Sequence, residues 1–184
     1  MSAGRRLMFV VNNPAFFMSH RVPVALAAQR AGYDVHVATM DGPAVADIQA
    51  LGMTHHAIPM TRSGKHPLQE LGTLLALVRL FRRVRPDVVH LVTIKPVLYG
   101  GIAARLARVR GMVAAISGLG FVFLSNSLKM RLVRSVVARL YRIALGHPNS
   151  RVIFQNANDR DLLKSLGAVR DAQVVMIRGA GVDL

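Results

Sequence analysis

The chain has 184 residues, 52% of them hydrophobic, and no cysteine. That is enough for one domain with its own core, and it excludes disulfides, Cys-based zinc sites and intrinsic disorder. The formal net charge is +15, against a single glutamate, Glu70, which favours an anionic partner and leaves little material for a paired-carboxylate mechanism. The lack of cysteine fits a reducing compartment. Met1 to Val11 is too short an apolar run for a signal peptide. The longest uncharged stretch, Gly111 to Leu128, is interrupted by Gly118, Gly120, Ser125, Asn126 and Ser127, which argues against a membrane span.

Apolar runs of strand length alternate with helical patterns. The first strand is expected over Leu7 to Asn12, and a helix from about Ser19 to Ala31, capped by Ser19 and closed by Gly32. A strand over Asp34 to Thr39, a short helix over Pro43 to Leu51 and a weaker strand over Thr54 to Ile58 follow. Thr61 to His66 reads as a basic loop. Leu68 to Val84 repeats leucine, valine and phenylalanine at helical spacing, and Pro86 stops it. Strand four is Asp87 to Val92, and Pro96 opens the next helix. Strand five is Met112 to Ser117. A long helix covers Ser127 to Leu145, strand six Arg151 to Gln155, a helix Asn158 to Leu166, and the last strand Gln173 to Ile177. Seven strands alternating with helices predict an α/β domain of the doubly wound, Rossmann-like class with a mostly parallel sheet. Arg178 to Leu184 reads as the beginning of a hinge loop, so the domain is expected over 1–178 and the hinge over 179–184.

Ligands of such folds bind beyond the carboxyl ends of the strands. The first of these loops, Asn12 to His20, contains no glycine, which disfavours a dinucleotide site of the Gly-x-Gly-x-x-Gly kind. A Walker A loop is absent too. His20 and Arg21 are expected in the first turn of the following helix, where the dipole favours anions. Arg62 and Lys65 flank Gly64 in the basic loop and could hold a phosphate or simply be solvated. Lys95 is expected just before a helix N-terminus, a sound anion site, and Tyr99-Gly100-Gly101 would allow close approach. Gly118 and Gly120 suit either a backbone held near a ligand or a tight turn.

No acid lies between Asp87 and Asp159. Within that interval Arg131, Arg134, Arg139 and Arg142 share one arc of an amphipathic helix, which fits anionic lipid headgroups or an ordinary solvated face. The histidines show no metal spacing: His55 and His56 alternate across a strand, and His90 reads as a core residue. Asn158, Asp159 and Asp161 suit a helix start, not a metal.

Several segments together resemble the N-terminal domain of family 4 glycosyltransferases. They are Asn12-Asn13 with Phe16 to Arg21, Asp87 to His90 with Thr93 to Pro96, Ile116 to Gly120, Val152 to Asn156, and Gly179 to Asp183. The resemblance covers essentially the whole chain and is nearest to members that extend glycans on polyprenyl-diphosphate carriers. It implies one half of a GT-B fold, in which this domain binds the acceptor. A second domain would bind the nucleotide sugar and carry a Glu-x7-Glu element, with retention of configuration and no metal or other cofactor. The sole glutamate agrees with the absence of that element from these 184 residues. Many members place a histidine after strand five; Gly118 to Gly120 stand there, so no catalytic histidine is assigned.

On this resemblance Asn13, Phe16, His20, Arg62, Lys65 and Lys95 are acceptor-binding candidates, and Gly118, Gly120, Asn156 and Arg178 would face the interdomain cleft. The implied partners are a nucleotide sugar of the UDP type, a lipid-linked glycan and an anionic membrane surface, the last met by Arg131, Arg134, Arg139 and Arg142. The implied location is the cytoplasmic face of the plasma membrane. The second half would come from a separately encoded chain, or these residues are a truncated or excised domain; turnover by the 184 residues alone is expected to be slight. Two other classes compete. One is a basic binding module for polyanions, for which aromatic stacking surfaces are few. The other is a nucleotide-dependent oxidoreductase, disfavoured by the glycine-free first loop.

Overall fold

The computed structural model describes residues 4–60, 67–119 and 128–177, with the side chains of 128–134 left aside. Strands β1 (Arg6–Val11), β2 (Asp34–Thr39), β3 (Thr54–Ala57), β4 (Val88–Val92), β5 (Gly111–Ile116), β6 (Ser150–Phe154) and β7 (Val174–Met176) form one sheet in the order β3-β2-β1-β4-β5-β6-β7. Every pairing is parallel, so the sheet is wholly rather than mostly parallel. The order runs outward in both directions from the β1–β4 pair, where Leu7 lies opposite Val88 and Val11 opposite Val92. That pair is the topological switch point, where loops leaving neighbouring strands diverge to opposite faces.

Right-handed crossovers sort the helices into two layers. On one face, α1 (Pro14–His20), α2 (Val22–Arg30) and α3 (Val45–Ala50) bury Phe17, Ala25 and Ile48 against Phe9, Val11, Val35, Val37 and Val92. On the other lie α4 (Pro67–Val84), a π-wound turn Pro96–Gly100, α5 (Gly101–Leu106), α6 (Leu128–Leu145) and α7 (Ala157–Ser165). These cover a larger cluster that includes Met8, Leu77, Phe81, Leu91, Met112, Tyr141 and Phe154. Alternate strand residues serve opposite layers, Met8 one and Phe9 the other, which is why the strands read as unbroken apolar runs.

The element ends differ from expectation by one or two residues at most strands, and by more at the first helix. The expected single helix over Ser19 to Ala31 is two. Asn13 caps α1 with Pro14 in its first turn, while Pro23 stands at the start of α2 after a break at Arg21. Proline costs least in a first turn and most in a helix interior, so Pro23 divides the segment there.

Candidate functional site

The loop leaving β1 and the loop leaving β4 meet over the switch point. Asn12, Asn13, Ala15, Phe16, Ser19 and Thr93 line an open cleft of about 560 Å³ between them. Asn13 is in extended backbone, and its Oδ1 accepts from the Ala15 N–H at 2.8 Å. This fixes the angle at which α1 leaves the sheet. Phe17, fully buried, anchors α1 by an edge contact to Phe9 at 5.6 Å. Phe16 on the cleft side stacks on His20, with centroids 4.2 Å apart and planes within 6°.

Two expectations for this loop are corrected. Ser19 is not a cap: it lies in the last turn of α1, and its hydroxyl donates to the Ala15 carbonyl at 3.0 Å. Its Oγ also lies 2.6 Å from His20 Nδ1. His20 is the C-terminal residue of α1 rather than part of a first turn, so it faces the negative end of a helix dipole.

Around the β1–β4 switch point some polar groups are incompletely paired, Thr93 of the cleft lining among them. Arg21 Nε, His90 Nε2 and Thr93 Oγ1 are buried without a hydrogen-bond partner. Thr93 holds φ at +76°, a left-handed conformation unusual for a β-branched residue. Such strain collects at ligand clamps and active sites. His90 is buried and stacks on Phe9 at 5.0 Å, its register partner. Burial, and then the Arg21 guanidinium, lower its pKa to about 4, so the ring is neutral at pH 7. Burial also lowers the pKa of Arg21.

Lys95 lies on the other side of the switch point. Lys95 is the N-cap of the π-wound turn Pro96–Gly100, just before that helix as expected, with its own backbone already helical. Its Nζ lies 2.6 Å from Glu70 Oε1 at the start of α4, with both side chains about one-fifth exposed. Burial, with Glu70 second, pushes the Tyr99 phenol pKa up. The glycines that follow serve the protein rather than a ligand. A Cβ on Gly100 would meet the Leu91 side chain at 2.7 Å, and one on Gly101 the Ala144 carbonyl at the same distance. Their smallness lets this helix approach β4 and α6.

Of the remaining sequence candidates, Gly118 and Asn156 follow the paired ends of β5 and β6, where Ile116 lies opposite Phe154. Gly118 has φ +126° with open space where a Cβ would stand. Asn156 caps α7 and shares two hydrogen bonds of 2.8 Å with Asp159. Arg139 is exposed, and Arg142 Nε donates to the Leu166 carbonyl. Arg62, Lys65, Gly120 and Arg178, and the side chains of Arg131 and Arg134, lie outside the described residues. His55 and His56 point to opposite faces, toward Thr39 and His36 respectively. Among the described residues no group of three or more His, Asp or Glu could hold a metal. No described helix is long and apolar enough to cross a membrane.

Asn13, Phe16 and Thr93 are thus brought together, with His20 behind Phe16, while Lys95 stands apart with Glu70. The glycine-free, asparagine-rich first loop at the switch point is one of the segments that carry the family likeness. A profile described as glycosyl transferase 4-like matches residues 6–156. The chain belongs to that family.

A curated relative from Campylobacter jejuni is 22% identical over 97% of this chain. It is an N,N'-diacetylbacillosaminyl-diphospho-undecaprenol alpha-1,3-N-acetylgalactosaminyltransferase. The chain spans 47% of that relative's length. Among solved structures, a glycosyltransferase from Rickettsia africae aligns with a TM-score of 0.67 at 15% identity, over 95% of this chain and 43% of that one. MurG from Acinetobacter baumannii aligns at 0.62 and 14% identity, over 97% and 46%. A UDP-GlcNAc 2-epimerase from Methanocaldococcus jannaschii shares the fold as well, at 0.59 and 15% identity over 93% and 44%. The fold alone therefore does not choose the reaction.

Proposed function

We propose that this chain is the acceptor-binding half of a retaining glycosyltransferase that moves a sugar from a nucleotide-sugar donor to a polyprenyl-diphosphate-linked glycan. The observation that carries the reading is the Asn13–Phe16–Thr93 cleft at the switch point, in a chain whose family is glycosyl transferase 4-like. The relative from Campylobacter jejuni, named for transfer to a diphospho-undecaprenol sugar, supports this acceptor class. Residues 1–178 form the acceptor domain, and 179–184 begin the hinge to a donor-binding half, in the same protein or in another chain.

Asn13 and Thr93 would hold sugar hydroxyls, and the flat Phe16–His20 stack would meet a sugar's apolar face. Lys95, with Arg62 and Lys65, would meet the diphosphate. Gly118, Gly120, Asn156 and Arg178 would face the donor half. Outside the cleft, α4 exposes Leu68 at 72%, Leu71 at 51% and Leu75 at 43%, followed by exposed Arg79, Arg82 and Arg83. Together with α6 and its Arg131, Arg134, Arg139 and Arg142, this apolar and basic surface would rest on the anionic cytoplasmic leaflet, where the lipid-linked acceptor resides. Transfer requires both substrates oriented together, so the 184 residues alone should turn over little.

The test is binding. The chain is titrated with a polyprenyl-diphosphate sugar in nanodiscs, with a UDP-sugar and with duplex DNA, each at several salt concentrations. The acceptor lipid should bind, the UDP-sugar only weakly, and Asn13→Ala should lower acceptor affinity about fivefold while costing ~1 kcal/mol of stability through the lost cap. Equal, salt-sensitive binding to every polyanion would replace this reading with a basic binding module, the alternative that the +15 charge favours.

A further inference from the structure

Lys95 occupies an unfavourable place for a cation. It is the N-cap of the π-wound turn Pro96–Gly100, which runs on into α5, at the positive end of the helix dipole. There it pairs with the only glutamate of the chain. Glu70 stands in the first turn of α4, where a carboxylate is favoured, and it reaches across to the π turn. Tyr99, four residues after Lys95, feels the same carboxylate, which with burial raises its phenol pKa. Glu70 is gripped by the Lys95 ammonium at 2.6 Å. That ammonium is the donor an anionic ligand oxygen would recruit at this position. The pair is neither deeply buried nor freely exposed, at 18% for Glu70 and 21% for Lys95, so it can exchange partners without a large desolvation cost.

We propose that Glu70 is a specificity-determining residue. Its carboxylate occupies Lys95 as an internal stand-in for a phosphate oxygen, so that only an anion also held by the strand-end cleft draws Lys95 away. The inference rests on the acceptor-side reading, in which Lys95 meets a diphosphate. Its chemical consequence is selectivity. A chain of net charge +15 attracts phosphates of every kind. Neutralising Lys95 removes the gain that a bare polyanion would obtain there, while a lipid-linked diphosphate sugar still collects the contacts of Asn13 and Phe16.

Isothermal titration of the 184-residue chain with inorganic pyrophosphate and with a polyprenyl-diphosphate sugar in nanodiscs tests it. The variants are Glu70→Gln, Glu70→Asp, Lys95→Gln and the Glu70→Gln/Lys95→Gln double. Glu70→Gln should tighten pyrophosphate binding about fivefold, the size of a released, partly exposed ion pair. The gain should vanish in the double variant. The preference for the lipid-linked diphosphate sugar over pyrophosphate should shrink by the same factor. Glu70→Asp, which keeps the charge but withdraws the carboxylate by one methylene, should show a smaller gain and covers the case in which Glu70→Gln folds poorly. Unchanged or weaker pyrophosphate binding in both Glu70 variants, or a gain that survives in the double, overturns the proposal. Lys95→Gln judges the underlying reading separately: undiminished binding of the lipid-linked ligand would remove Lys95 from the acceptor site, whatever the Glu70 variants do with pyrophosphate.

Discussion

The two helical layers cover the same sheet but are built differently. The α4–α7 layer buries a large apolar cluster and closes tightly, with Gly101 set against the Ala144 carbonyl. Its outer face is arginine-rich, and its one glutamate is already paired. The α1–α3 layer is thinner, and its first helix is short, proline-bounded and followed by a break at Arg21. Three of the buried unpartnered polar atoms, on Arg21, His90 and Thr93, belong to that side. The difference separates two tasks. One layer supplies stability, while the other gives up hydrogen bonding and helix continuity where the switch-point loops need shape. Unsatisfied groups in a native protein call for a reason, and for Thr93 its place in the cleft lining supplies one.

The largest effects should come from Phe17→Ala and Phe81→Ala, one fully buried ring from each layer. Each should cost ~3–5 kcal/mol in urea unfolding at pH 7. Only Phe17→Ala should also weaken acceptor-lipid binding, because Phe17 fixes the helix that carries Asn13 and Phe16. Equal binding losses in the two variants would break the division of tasks.

Next in size is a pH effect. The His90 pKa is lowered to about 4 in the folded chain by burial and the Arg21 guanidinium, from the ordinary value of 6.5. Between these values the unfolded chain takes up a proton that the folded chain refuses. The contribution is thus complete above pH 6.5, is lost as the pH falls toward 4, and is flat below. It amounts to at most ~3 kcal/mol. His56 in the other layer is also lowered to about 4, by burial, His36, Arg83 and His55. It is only half buried, so solvent screening should leave it the smaller share. His90→Leu should therefore flatten the stability profile between pH 6.5 and 4 more than His56→Leu, in urea melts at half-unit steps. The reverse ranking would mean that His90 is better hydrated than its burial implies.

What the chain discloses without coordinates follows the range of the forces involved. The strands and the parallel, doubly wound order depend on apolar periodicity and crossover chirality, both local, and they are legible to within a residue or two. The break between α1 and α2 was also written locally. Asn13-Pro14 is an N-cap and first-turn pair, and Pro23 cannot sit inside a helix begun at Ser19. The Glu70–Lys95 pair, 25 residues apart, and the close approach that explains Gly101 depend on how α4, α5 and α6 settle against one another. Neither has a local signature. Thr93 could be seen in a strand-end loop, but not its left-handed backbone, since nothing in Val92-Thr93-Ile94 favours it.

The smallest predicted effect tests the stability layer at its own exception. Tyr141 is 1% exposed on α6, and its hydroxyl is buried without a partner. Burial, with Asp159 second, pushes its phenol pKa upward, so the group stays protonated and carries its desolvation cost unrelieved. Tyr141→Phe keeps the ring and removes that cost, so stability should change by less than ~0.5 kcal/mol or rise slightly. Acceptor-lipid affinity should not move. A loss of ~1 kcal/mol or more in urea unfolding would show that the hydroxyl is bonded in solution, by a trapped water or by Asp159. The α4–α7 layer would then hold a polar network of its own, and the contrast between the layers would narrow to the strained and broken backbone around the first cleft.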